Sequence, residues 1–384
     1  KSLAEIKEKF YDVFSEKPML VRAPGRVNLI GEHTDYNNGF VLPAAINKSI
    51  YLAVSKRKDD VIHLISLDLK DEYITNIKSF EHNDKHWTHY ILGVVEQLQK
   101  QGFNVGGFNC VFSGDIPLGA GLSSSAALEC GVAYALNQLF DFNIDRIDLV
   151  KLSQKAENEF VGVKSGIMDQ FASMMGKKNQ VIKLDCLTLE YEYSPLKMDG
   201  IEIVLFDSNV KHSLVTSEYN TRREQCEAGV KMIQQKYPQV KSLRDATIEM
   251  VDEIIKPQDE LIYRRCKYVV GENIRLQMGT EDLRRNDVAA FGKKMFATHE
   301  GLSKDYEVSC KELDFLIDCV KDNPNVLGAR MMGGGFGGCT INLVKEEAVE
   351  DLVKSVSEKY RAVMGKDTKV YIAKIEDGVS VVED

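Results

Sequence analysis

Apolar residues at Leu3, Ile6, Phe10, Val13 and Phe14 return every three or four positions, so the start of the chain predicts an amphipathic helix. The pattern then changes. Residues 19–23, 49–55, 61–67 and 107–112 are short strand-like runs, and the last of them enters a glycine- and serine-rich loop at 113–125. A long helix follows through Leu128, Val132, Leu136 and Leu139, and a second is expected over 145–160, ahead of the segment 164–175. Strands are expected at 181–185 and 201–207. Between them Pro195 and Gly200 punctuate residues 191–200, which predicts the boundary between two lobes, 1–195 and 196–384. The second half opens on a helix through Tyr219, Cys226, Val230 and Ile233 and stays helical to about residue 320. A glycine-rich turn at 333–338, a strand at 340–344, a helix at 346–364 and a last strand at 368–375 complete the chain. Neither repeats nor heptads interrupt this mixed pattern, which suits an enzyme with a cleft between two lobes.

Length agrees with two lobes, since 384 residues exceed one average domain. With 44% hydrophobic and 28% charged residues the composition is that of a globular protein. The 49 basic and 58 acidic side chains leave a net charge of −9, without a basic cluster or tail. No nucleic-acid partner and no anionic membrane partner is therefore expected. No apolar run reaches membrane-spanning length, and the first ten residues are charged and amphipathic rather than leader-like. Eight cysteines occur singly, without a C-x-x-C pair, and the seven histidines do not cluster with them. Reduced, buried thiols in a soluble cytoplasmic protein are expected, and a structural zinc site is not.

Two segments carry candidate chemistry. In Pro117-Leu-Gly-Ala-Gly-Leu-Ser-Ser-Ser-Ala-Ala127, Gly119 and Gly121 allow a tight turn, and Ser123, Ser124 and Ser125 stand where a helix begins. Free N–H groups and the helix dipole there favour an anion such as a phosphate. Serines capping a helix after a glycine turn would have the same sequence. The pattern G-x-x-x-x-G-K-[ST] is absent, and the G-x-G-x-x-G string at Gly333, Gly335 and Gly338 precedes a strand rather than a helix, so neither common nucleotide fold applies. The second segment, Arg22-Ala-Pro-Gly-Arg-Val-Asn-Leu-Ile-Gly-Glu-His-Thr-Asp-Tyr36, concentrates Arg26, Glu32, His33 and Asp35 around a turn. Carboxylates that accept hydrogen bonds from vicinal hydroxyls are a common grip on sugars. A polar surface turn is the plain alternative.

Taken together, Pro24-Gly-Arg-Val-Asn-Leu-Ile-Gly31, the loop from Pro117 to Ala126 and Gly333-Gly-Gly-Phe-Gly-Gly338 resemble the GHMP kinase superfamily, and Gly31-Glu-His-Thr-Asp-Tyr36 resembles its galactokinase branch. The resemblance implies an α+β fold of two-layer α/β lobes. The N-terminal lobe would be like ribosomal protein S5 domain 2 and the C-terminal lobe ferredoxin-like, with the active site in the cleft. It also implies residue roles. Glu32, His33, Thr34, Asp35, Gly166 and Tyr219 would hold the sugar. Gly119, Ala120, Gly121, Leu122, Ser123, Ser124 and Ser125 would wrap the phosphates of ATP. Ser66 would contact the nucleotide, and Trp87 resembles an adenine-side residue. Asp169 would be the catalytic base with Arg26 beside it, and Mg2+ would be held by Ser125 and Glu157. Read alone, these residues have plainer explanations. Glu157 reads as a solvated helix position, Asp169 as a first-turn helix acid, Tyr219 as core and His33 as a turn residue. Ser165 departs from some galactokinase segments, which have cysteine or another small residue there, and the change in size is too slight to affect activity.

The implied reaction is ATP-dependent phosphorylation of galactose at its C1 hydroxyl, the entry step of the Leloir pathway, giving α-galactose 1-phosphate and ADP. Phosphoryl transfer asks mainly for alignment and charge stabilisation. Asp169 would accept the hydroxyl proton, and Arg26 would neutralise the transferring oxygens. Two rivals remain open, an N-acetylgalactosamine kinase and a non-catalytic sensor of galactose and ATP. The partners expected are the small molecules galactose and ATP, acting on a monomer.

Overall fold

A computed structural model describes residues 2–117, 119–210 and 215–383 of the chain. Its strands are β1 (Met19–Asn28), β2 (Phe40–Val41), β3 (Pro43–Lys56), β4 (Val61–Ser66), β5 (Asp71–Asn76), β6 (Phe108–Gly114), β7 (Gln180–Asp185), β8 (Tyr191–Pro195), β9 (Ile201–Asp207), β10 (Val326–Met331), β11 (Cys339–Lys345), β12 (Lys369–Ala373) and β13 (Ser380–Val381). The helices are α1 (Ser2–Phe14), α2 (His89–Lys100), α3 (Ser124–Leu139), α4 (Arg146–Lys155), α5 (Met168–Met175), α6 (Val215–Gln234), α7 (Ile248–Met250), α8 (Glu260–Arg284), α9 (Val288–Lys304), α10 (Lys311–Asp318) and α11 (Val349–Met364).

Six strands form the first large sheet in the order β13-β1-β3-β6-β4-β5, antiparallel except where β4 runs parallel to β6. Alternate side chains leave its opposite faces, and both faces are buried. Val21, Leu52, Leu64 and Cys110 point into the main core, under α2, α3, α4 and α5. Their neighbours Leu20, Ala53, Ile65 and Val111 meet Ile6 and Phe10 of α1 on the other side. The second sheet, β10-β11-β9-β12, places Val204 and Phe206 against Leu316, Leu352 and Tyr360 from α10 and α11. On its other face Ile203, Leu205, Ile341 and Leu343 join the main core. One continuous apolar interior therefore holds the two sheets together.

The structure departs from expectation at several elements. Residues 191–195, expected as part of a linker, form β8, which pairs with β7 in a small third sheet with β2. Three of its five side chains are exposed, so the segment lacks an apolar signature, and Pro195 is tolerated at the end of an edge strand. The polar edge strand β5 escapes detection for the same reason. β10 does too, because Gly328 and the buried Arg330 break its apolar run. β1–β8 precede the boundary expected at 195 and β9–β12 follow it, but β13 returns to pair Val381 with Val21 in the first sheet. Finally, the helix expected over 145–160 narrows to α4 and continues as a wider π-type turn, Ala156–Val161. Helix α2, with Ile91, Leu92, Val95 and Leu98 at helical spacing, adds a buried layer not among the expected elements.

Candidate active site

β1 runs past its expected end because of a register shift between Pro24 and Arg26. Gly25 makes this possible, since a Cβ there would stand 2.7 Å from the Leu122 carbonyl oxygen. The close approach lets Arg26 N–H donate to Leu122 O at 3.1 Å. The buried guanidinium then reaches in two directions, from Nη1 to Gly121 O at 2.6 Å and from Nε to Asp169 Oδ1 at 2.7 Å. Asp169 comes from the first turn of α5. Burial alone would lower the Arg26 pKa, but the carboxylates of Asp169, Glu32 and Asp35 outweigh it and raise it.

Around this pair lies a cavity of about 570 Å³, whose lining includes Glu32, His33, Asp35, Gly166 and Tyr219. Asp35 packs so closely on Gly166 that a Cβ there would stand 2.1 Å from Asp35 Oδ2. Burial, reinforced by the charge of Asp169, pushes the Asp35 pKa up to about 6. Glu32 Oε1 accepts from Arg330 Nη2 at 2.8 Å and from Gly333 N–H at 2.9 Å. His33 has both ring nitrogens engaged, Nδ1 with Tyr36 Oη at 2.9 Å and Nε2 with Gly334 O at 3.0 Å. Burial lowers its pKa, and a neutral ring fits a donor from Tyr36 on one side and an acceptor carbonyl on the other. Tyr219 stacks obliquely on His33 with ring centres 5.5 Å apart, so this helix residue faces the cavity. Thr34 is placed differently. Its buried hydroxyl donates to Gly31 O and Phe40 O and is spent inside the turn.

The loop at 119–125 approaches the cavity through Arg26. Gly119 and Gly121 hold φ of +74° and +82°, and Ser123 shares the left-handed region at +63° directly before α3. Ala120 and Leu122 turn inward as buried apolar anchors, while the three serines are half-buried. Ser123 Oγ is a buried atom without a hydrogen-bond partner among the described residues, and it stands beside the free N–H groups of a long helix. Both features suit a phosphate oxygen. Leu118 lies outside the described residues.

Ser125 Oγ is 3.5 Å from Glu157 Oε1. Burial raises the Glu157 pKa, opposed by hydrogen bonds from Ser165, Gln170 and Ser125. Among the described residues no cluster of three or more His, Cys, Asp or Glu side chains could hold a metal by itself. One carboxylate with one hydroxyl suits Mg2+ that also takes substrate phosphate oxygens. Ser66 and Trp87 do not line the cavity of Arg26 and Asp169. Ser66 is 1% exposed at the end of β4 and accepts a long bond from Leu69 N–H, while Trp87 Nε1 donates to Asp71 Oδ2 at 2.9 Å.

Known proteins are similar to this chain over nearly its whole length. Residues 8–56 match the galactokinase galactose-binding signature, 89–177 the GHMP kinases N terminal domain and 280–362 the GHMP kinases C terminal family. The chain is 43% identical over 363 residues to the galactokinase of Thermotoga maritima, covering 94% of this chain and 99% of that protein. The chain belongs to the galactokinase family. Another family member, from Clostridium acetobutylicum, is 42% identical over 381 residues, covering 97% of each chain. The crystal structure of Lactococcus lactis galactokinase complexed with galactose superposes with a TM-score of 0.94 at 36% identity, covering 99% of this chain and all of that one. Mevalonate kinase from Methanococcus jannaschii, at a TM-score of 0.65 and 20% identity over 94% of this chain, shares the fold. The architecture is thus the GHMP kinase fold expected from the three motifs.

Beside the residues singled out from the sequence, the candidate site contains members that sequence reasoning missed. Arg330, fully buried, pairs with Glu32 from the second sheet and also donates to Leu29 O and Asn28 O. An arginine between Ala329 and Met331 was the available signal, because burying such a group calls for a carboxylate partner. Gln170 and Glu129, both fully buried behind Glu157, had no comparable signal.

Proposed function

We propose that this galactokinase-family enzyme transfers the γ-phosphoryl group of ATP to the C1 hydroxyl of D-galactose, giving α-D-galactose 1-phosphate and ADP. The observation that carries this reading is the 2.7 Å ion pair of Arg26 and Asp169 on the wall of a cavity that also presents Asp35, Glu32 and Tyr219. Asp169 Oδ atoms accept the proton of the attacking hydroxyl, while Arg26, bonded to both Asp169 and the phosphate loop, neutralises charge on the transferring group. Asp35 and Tyr219 orient the sugar by accepting and donating hydrogen bonds. Glu32 has one oxygen committed to Arg330, so it serves the sugar through the other. His33 supplies shape, its ring nitrogens being taken, and Thr34 holds the turn.

The loop at 119–125 and the start of α3 bind the ATP phosphates, with Ser125 and Glu157 holding Mg2+. When bound, the ion offsets the negative charge of the phosphate oxygens. Nucleotide contact by Ser66 and an adenine-side role of Trp87 rest on sequence resemblance alone. Eight unpaired cysteines and a net charge of −9 favour a monomer in the cytoplasm, and no helix among the described residues is long and apolar enough to cross a membrane.

A coupled ADP-release assay over galactose, N-acetylgalactosamine, glucose and mevalonate tests the reading. Turnover is expected with galactose above all others. Preference for N-acetylgalactosamine, or galactose binding without ADP release, would replace it with one of the two rivals.

A further inference from the structure

Glu157 presents its two carboxylate oxygens to different surroundings. Oε1 faces the phosphate loop, 3.5 Å from Ser125 Oγ. Oε2 faces the protein, where it accepts hydrogen bonds from Ser165 Oγ and from Gln170 Nε2, the latter at 3.1 Å. The amide nitrogen of Gln170 has two hydrogens, and it also donates to Glu129 Oε1 at 3.2 Å. Gln170 and Glu129 are both wholly buried, and the Glu157 carbonyl accepts from Gly162 and Val163 N–H, which closes the π-type turn. A carboxylate rotates freely about its last bond, so its two oxygens exchange readily unless something distinguishes them. Two donors on Oε2, against one long contact from Ser125 Oγ on Oε1, distinguish them here.

We propose that Ser165 and Gln170 are positioning residues that hold Glu157 as a one-oxygen ligand, presenting Oε1 to Mg2+ beside Ser125, and that Glu129 braces Gln170 from behind. This rests on the reading of Glu157 as a metal ligand. Partners of this kind fix the orientation of a ligating side chain. It also gives residue 165 a role beyond its size. A serine hydroxyl donates strongly to a carboxylate oxygen, a cysteine thiol only weakly, and an alanine not at all.

The test uses Mn2+ as probe, its binding followed by electron paramagnetic resonance on the full chain with a non-hydrolysable ATP analogue. The Mg2+ activation curve and galactose affinity by calorimetry are measured alongside. Ser165→Ala and Gln170→Leu are each expected to weaken Mn2+ binding about tenfold or more, and to move half-saturating Mg2+ upward in step. Galactose affinity is expected to stay within about twofold, which a general loss of structure would not allow. Ser165→Cys should fall between serine and alanine. Glu129→Gln retains an acceptor for Gln170 and should match the parent, whereas Glu129→Leu should shift with Gln170→Leu. Unchanged Mn2+ affinity in Ser165→Ala, with weakened affinity in Glu157→Gln, overturns the positioning role and leaves the metal assignment intact. Unchanged affinity in Glu157→Gln as well removes the metal assignment itself, and the proposal with it.

Discussion

Arg26 Nε donates to Asp169 Oδ1 at 2.7 Å, while the same guanidinium holds the Gly121 carbonyl at 2.6 Å. One side chain thereby ties the proposed base to the loop that would carry the phosphates. Asp169→Asn keeps the shape and most hydrogen bonds but removes the proton acceptor. Turnover is expected to fall by roughly 10²–10⁴-fold, the usual size of a general-base contribution, with galactose affinity by calorimetry retained. Near-normal turnover would exclude Asp169 as the base.

The raised pKa of Asp35 sets a pH dependence with a definite sign. With a pKa of about 6 in the free enzyme, the residue is ionised above that pH and accepts hydrogen bonds from sugar hydroxyls there. As pH falls through about 6 it becomes protonated, and galactose Kd should rise towards tenfold per pH unit. Asp35→Asn should flatten this profile and weaken binding by about 2 kcal/mol at neutral pH. Stability should move the opposite way. A carboxyl whose folded pKa is raised contributes stability below its unfolded pKa of 3.8 and loses it as pH rises through about 6. Sugar-free Asp35→Asn should therefore melt higher than the parent at pH 8, as seen by calorimetric scans. A lower Tm would contradict the burial argument.

Glu32 and Arg330 form an ion pair with exposures of 7% and 0%, joining the first turn after β1 to β10. Removing one partner strands a buried charge. Arg330→Met should cost about 3–5 kcal/mol in denaturant unfolding, and the double variant Glu32→Gln with Arg330→Met should recover part of it. Equal destabilisation in the single and double variants would show that the arginine acts only through its bonds to Leu29 O and Asn28 O.

Gly166 has no room for a methyl group, since a Cβ would meet Asp35 Oδ2 at 2.1 Å. Gly166→Ala should displace the Asp35 carboxylate and raise galactose KM more than tenfold, a loss of about 1.4 kcal/mol or more. The KM for ATP should stay near that of the parent. Parallel rises in both constants would instead point to a shift of α5 as a whole.

Much of the fold was legible because its signals are local. α1 has apolar positions at helical spacing, with Ile6 and Phe10 buried, while α3, β4 and β9 are apolar runs buried over most of their length. The turn from Gly31 to Asp35 and the loop from Gly119 to Ser125 were likewise legible, because tight turns and helix starts demand particular residues in consecutive positions. β5, β8 and β13 were not, being short edge strands whose pairing partners decide their conformation.

Within the candidate site, consecutive residues defined its separate parts: a carboxylate-bearing turn, a glycine- and serine-rich loop and a helix with an aspartate in its first turn. The amino-acid order therefore determined which chemistry was present. Which side chains are left free toward the cavity and which are spent internally was decided by packing, since Thr34 and His33 sit between Glu32 and Asp35 in the chain yet bond to protein. Tertiary structure alone brought Arg330 to Glu32 and Gln170 to Glu157. The physical reason is that a buried charge or amide must find its partner through space, and the chain between them leaves no trace of where that partner will be.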